Sequence, residues 1–188
     1  MRSSSLGGKV GFIDVLRESK RVKLFFALVI VVLVVTVVTV TPLLLGITTP
    51  YTLVIPPIAI ITAVTTSIIL SILSYRLRKV IIERTNDSIK VTLVTKGGTI
   101  KLRVKDFKVI NTHEVLKFRV IGTQAGNIMY GLFKGPLGYV EAFATSDRGV
   151  LLIPSNGVLK YFVAIDNVDE VISCLISEEC RYREIYVR

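Results

Sequence analysis

Hydrophobic and polar positions divide the chain into two regimes. From Phe25 to Tyr75 the residues are mostly apolar, and no Asp, Glu, Lys, Arg or His occurs. Beyond Val80 the apolar positions alternate with polar ones. The uncharged run predicts a transmembrane hairpin, because one bilayer crossing takes roughly 20 apolar residues. Pro42, Gly46, Pro50 and the Pro56–Pro57 pair punctuate it into two helices, about 24–45 and 56–75. The first would be roughly 33 Å long at the helical rise. Its many Val and Thr residues are mediocre helix formers in water, but in lipid the backbone must satisfy its own hydrogen bonds. Thr36, Thr39 and Thr41 are expected to bond back to carbonyls one turn earlier. Ser67, Ser71 and Ser74 place small residues on one face of the second helix, suited to contact with the first helix or with another copy.

The alternating region predicts strands. Val80–Arg84 is closed by Asn86–Asp87. Ile89, Val91 and Leu93 alternate with Lys90 and Thr92. After a Gly97–Gly98 turn, Ile100, Leu102 and Val104 alternate with Lys101, Arg103 and Lys105. This last strand is half-buried with a basic outer face. A further strand is expected around Leu116–Ile121. The glycine-rich stretch Gly122–Gly138 reads as a long loop holding a short apolar piece, Ile128–Phe133. Three strands follow: Tyr139–Ala144, Val150–Ile153 and Leu159–Val163. The last two are joined by Pro154–Gly157, whose Asn156–Gly157 pair signals a type I′ turn. Val168, Val171, Ile172, Leu175 and Ile176 then form one helical stripe, with Asn167 and Glu170 set as a capping box. The tail after Glu179 either returns to the surface or adds an edge strand.

Charge sharpens the topology. The 188 residues carry a net charge of +10, with mean hydropathy +0.62. Lys20, Arg21 and Lys23 precede the uncharged run, Arg76, Arg78 and Lys79 follow it, and the turn between has no Lys or Arg. The positive-inside rule then puts both termini in the cytoplasm, as a two-pass integral protein of the cell membrane. Before the hairpin, Val10–Lys23 suits an interfacial helix with Phe12, Ile13 and Leu16 on its apolar face. The basic excess fits anionic headgroups better than nucleic acid, since no aromatic side chains interleave with Lys101, Arg103 and Lys105. Those three residues are the candidate lipid-surface contact.

Candidate chemistry is sparse. His113 is the only histidine, beside Glu114 and without a nucleophile in a defined motif. One His and two separated Cys fall short of a zinc site. Lys134–Gly135 has the wrong order for a phosphate-cradling loop. Glu141 alternates with Val140 and Ala142 and reads as solvated. Cys174 and Cys180, six apart, would lie on different faces of a helix and read as free thiols. No catalytic, cofactor-binding or metal residues, and no cofactor, are assigned.

The segments Tyr130–Phe133, Gly138–Thr145, Val150–Ile153 and Leu159–Val163, followed by the helix, resemble the prokaryotic pleckstrin-homology-like domains in their membrane-anchored form. The resemblance covers roughly residues 89–180 and departs at Ala164–Asp166, where that family tends to carry a Ser-Pro-like entry to the helix. The element order and the resemblance together give an α+β chain: a two-helix transmembrane hairpin, then a small PH-like antiparallel β domain of about seven strands capped by a C-terminal helix. The domains are then a basic cytoplasmic segment 1–23, the hairpin 24–75 and a cytoplasmic PH-like domain 76–188. The expected function is a membrane-anchored interaction or scaffold module without catalysis. Its expected partners are the lipid bilayer, anionic headgroups, and a protein partner or a second copy, with no nucleic acid. The alternatives are a membrane-associated hydrolase and a small oligomeric transport component.

Overall fold

The structure, a computed structural model, describes residues 12–46, 58–66 and 76–187. Two helices open it, α1 (Phe12–Glu18) and α2 (Lys20–Leu44), and residues 58–66 form a third, α3. Nine strands follow: β1 (Leu77–Thr85), β2 (Ser88–Thr95), β3 (Gly98–Asn111), β4 (Phe118–Ala125), β5 (Ile128–Gly135), β6 (Gly138–Ala144), β7 (Arg148–Pro154), β8 (Lys160–Ala164) and β9 (Tyr182–Tyr186). A short helix α4 (Thr112–Val115) joins β3 to β4, and α5 (Val168–Ile176) joins β8 to β9.

The expected hairpin is corrected. Among the described residues no helix qualifies as a membrane span. Of the second expected crossing, residues 58–66 are described, and they are helical. A two-pass integral topology, with its membrane and transmembrane character and both termini cytoplasmic, is therefore not what the structure shows. Thr36 and Thr41 do donate back to the carbonyls of Val32 and Val37, at 2.8 and 2.6 Å. The Thr39 side chain, Pro56–Pro57 and the serine stripe Ser67, Ser71 and Ser74 lie outside what is described.

The β domain is also corrected, from about seven strands with a terminal helix to nine strands with the helix before the last of them. The sheet runs β4-β5-β6-β8-β7-β3-β2-β1-β9. All neighbours are antiparallel except β6 and β8, which run parallel. The tail after α5 becomes β9 and pairs with β1, so the helix is an insertion between paired strands. The glycine-rich stretch is not a loop but β4, β5 and β6. Gly122 and Gly131 face each other across the β4–β5 ladder with φ of 134° and 126°. A Cβ on either would run into the opposing backbone, so glycine here marks close strand approach rather than looseness.

Two apolar layers result. The main core gathers Val80 and Ile82 of β1, Val91 and Leu93 of β2, Leu102 and Val104 of β3, and Phe143, Leu152, Tyr161 and Val163 farther along the sheet. Val168, Val171, Ile172, Cys174 and Leu175 of α5 pack into it. The predicted stripe is correct except for Ile176, which is exposed at the end of the helix. Asn167 makes no side-chain cap; its amide donates to the carbonyl of Tyr186 at 3.0 Å instead. A second layer, on the opposite face of β5–β8, holds Met129, Phe133, Val140, Ala142, Leu151 and Phe162 under Val115 and Leu116.

The cysteines are not free. Cys174 and Cys180 form a disulfide, with Cα atoms 5.2 Å apart. The helix stops at Ile176, so Cys180 lies on the returning Ser177–Arg181 segment and not on another helical face.

Candidate functional site

The basic strand expected from the sequence is β3, and it is bent. Its first half pairs with β2 and its second half with β7, with a register shift between Val104 and Asp106. Lys101 and Arg103 lie before this bulge, exposed, with Leu102 buried between them. Lys105 sits at the bulge itself, so the structure keeps two of the three expected residues in one regular row and sets the third apart. Cross-strand register supplies the missing members. Arg103 faces Lys90, Lys90 faces Glu83, and Lys101 faces Thr92. These side chains line a shallow groove of about 370 Å³ on the outer face of β1–β3. Like charges directly opposite one another repel, so the Lys90–Arg103 pair makes this face receptive to an anion.

A larger concavity, about 770 Å³, lies on the other side of β3. Its walls are Gly97–Arg103, the α1–α2 elbow at Glu18 and Ser19, and Asn156, with Glu141 and Tyr161 on the sheet behind. Glu141 was expected in solvent. It is 2 % exposed, because its strand is covered on both faces and the alternation that assigned it outward has no wet side to point to. The Ser19 hydroxyl donates to its carboxylate at 3.3 Å. A lone acid inside the otherwise uncharged strand Gly138–Ala144 was the signal that could have marked it.

The elbow is held by specific contacts. Val15 is fully buried in the main core, and Phe12 packs on Tyr139 with ring centroids 6.1 Å apart. The Glu18 carboxylate accepts the backbone amides of Val158 and Leu159 at 2.9 and 3.2 Å. A Cβ at Gly157 would meet that carboxylate. The Asn156–Gly157 pair therefore serves a five-residue connection wrapped around Glu18, not the tight type I′ hairpin expected. Of the apolar face expected on α1, Ile13 is exposed, while Phe12, with Val15, turns toward the β domain.

At the far edge, Glu184 of β9 accepts hydrogen bonds from Lys79 at 2.9 Å, from Tyr186 at 3.0 Å and from Tyr182. These donors, Tyr182 foremost, lower the Glu184 carboxyl to a pKa of about 2. The same bond raises the Tyr182 hydroxyl, and Lys79 is raised chiefly by its bond to Glu184.

His113 lies 3.7 Å from Asp147, both about two-thirds exposed and outside both concavities. Among the described residues no group of three or more His, Cys, Asp or Glu could hold a metal ion. Comparison with protein-family models, with curated proteins and with solved structures finds no match.

Proposed function

We propose that the chain is an interaction module, a β domain that presents a receptive surface and is carried on an apolar helix that associates with lipid. One observation carries this reading. The helix α2, which follows α1 after the single residue Ser19, exposes Val29, Ile30, Val31, Leu33, Val34, Val37 and Val38. A contiguous exposed apolar surface marks an interaction site. The docked elbow at Val15 and Glu18 fixes where that surface leaves the β domain. The resemblance to PH-like domains implies the same kind of role, although their strand count and terminal helix differ from those of this chain.

Flotation of the full chain, diluted from detergent into neutral or anionic liposomes at two salt concentrations, tests the lipid association. The chain is expected to float with both, because acyl-chain contact does not depend on headgroup charge. A salt-sensitive gain on anionic vesicles, removed by reversing Lys101, Arg103 and Lys105, would add headgroup contact by the basic face. A chain that stays at the bottom of the gradient with both vesicles overturns the lipid association.

A further inference from the structure

The larger concavity is bordered by a strand edge that the sheet leaves open. The β2–β3 turn is two residues, Lys96–Gly97, flanked by the pair Thr95–Gly98. In such a hairpin the flanking pair exchanges hydrogen bonds and every second pair repeats them. The bonded positions of β3 are then Gly98, Ile100, Leu102 and Val104. Thr99, Lys101 and Arg103 turn their N–H and C=O groups away from β2. One contact confirms the phase: the Arg103 carbonyl accepts the Ser155 amide at 2.8 Å on that side. Beyond it β7 ends at Pro154, so the position β7 would continue into is the concavity. Among the described residues no strand pairs with Thr99 or Lys101 there. Buried edges are covered, and open ones are templates for another chain.

We infer that this notch receives an extended acidic peptide strand of a partner protein, added to the free edge of β3 at Thr99 and Lys101, next to Arg103, whose carbonyl Ser155 already occupies. The proposal rests on the interaction-module reading and names its partner class. Main-chain bonds to a sheet edge give affinity, and alternate side chains give specificity. An added strand would turn alternate residues outward, level with Lys101, Arg103 and, one strand farther, Lys90. These face only one acid, Glu83, across the ladder. Outward residues are therefore acidic. Inward residues meet Leu102 and Tyr161 beside the Glu141 carboxylate, which accepts the Ser19 hydroxyl, so they are uncharged and apolar while the acids are confined to the outward row. About six residues at 3.3 Å each span Gly98–Arg103.

The test uses the full chain in detergent and fluorescence anisotropy of a labelled peptide alternating glutamate with valine. Three comparisons decide it. The same peptide N-methylated at alternate residues keeps its charge but cannot complete the ladder; it is expected to bind at least about tenfold more weakly. Lys101→Pro removes an amide that the β2 ladder does not use, and is expected to weaken the unmodified peptide to a similar degree. Lys101→Glu with Arg103→Glu should lose binding and gain it for a lysine–valine peptide. Equal binding of the methylated and unmodified peptides overturns strand addition, whatever the fate of the proline variant. No peptide binding, with the chain forming concentration-dependent dimers, overturns the proposal in favour of a second copy. A chain that floats with liposomes yet ignores the peptide overturns this inference alone. One that binds the peptide without floating overturns only the lipid association.

Discussion

The two halves of the sheet differ in how many faces they keep dry. In β1–β3 one face packs on the main core and the other meets solvent, so buried and exposed positions alternate. In β6–β8 both faces are covered, and β6 buries Val140 through Ala144 without a break. The difference sorts the molecule into a support and a working surface. The basic groove lies on the half with a wet face, and the open β3 edge lies where that half meets the other. The doubly covered half has no outward row to offer. It fixes the angle of the elbow through Tyr139 and the Val158–Leu159 amides.

Truncation separates the halves most sharply. Phe162 is fully buried in the second layer, and Phe162→Ala is expected to cost about 3–5 kcal/mol in denaturant unfolding. Ile81→Ala, on the half-exposed outer face of β1, should cost about 1 kcal/mol. Equal losses would erase the distinction between support and surface.

Next in size is the disulfide, which ties α5 to the segment entering β9. Closing so short a loop is worth about 2 kcal/mol in the chain-entropy account. Cys174→Ser and Cys180→Ser should each lower the unfolding midpoint, and reductant should lower the parent to match. A parent indifferent to reductant would mean that the bond does not form in solution.

The elbow contact is smaller. Glu18→Gln keeps the shape and removes the charge that accepts two amides, at an expected cost of about 1 kcal/mol. Its clearer readout is hydrogen exchange at Val158 and Leu159, which should accelerate while amides in β1 do not. Unchanged exchange would detach α1 from its assigned role.

The smallest effect is acid sensitivity at β9. Glu184 is lowered from 4.5 to about 2 when folded. A depressed carboxyl contributes stability that is complete above the unfolded value and is lost as pH falls through the folded one. The window is therefore from about pH 4.5 down to about 2. Because the cluster is solvent-exposed, screening keeps the contribution modest. Glu184→Gln should flatten the stability profile across that window and leave neutral pH little changed. A variant with the parent's acid limb would assign acid sensitivity elsewhere.

Legibility in the sequence follows the same division. The alternation of Ile100, Leu102 and Val104 with Lys101, Arg103 and Lys105 placed the basic strand and its outer face, because one face is wet and period two survives. Where both faces are dry the period carries no direction, so Glu141 was read outward and is buried. Glycine misled for a related reason. Gly122 and Gly131 suggest a loop when read singly, and only their cross-strand pairing shows that they admit two backbones at close approach. The Cys174–Cys180 bond was missed because helical spacing was extended past the end of α5.

By itself the sequence determined the strands with one wet face, the turn at Asn86–Asp87 and, one residue earlier than expected, that at Lys96–Gly97, the α5 stripe up to Leu175 and the back-bonds of Thr36 and Thr41 in α2. Each depends on neighbours within a few residues, where side-chain periodicity and local hydrogen bonding act. Tertiary structure alone decided that β6 and β8 run parallel, that the tail becomes the ninth strand and that α1 docks on the β domain. It also decided that β7 ends at Pro154, opposite Val104, before it reaches Lys101 and Thr99 of β3. These depend on which distant segments reach each other first and most completely. A pattern of polar and apolar residues says that a surface must be covered, but not by what.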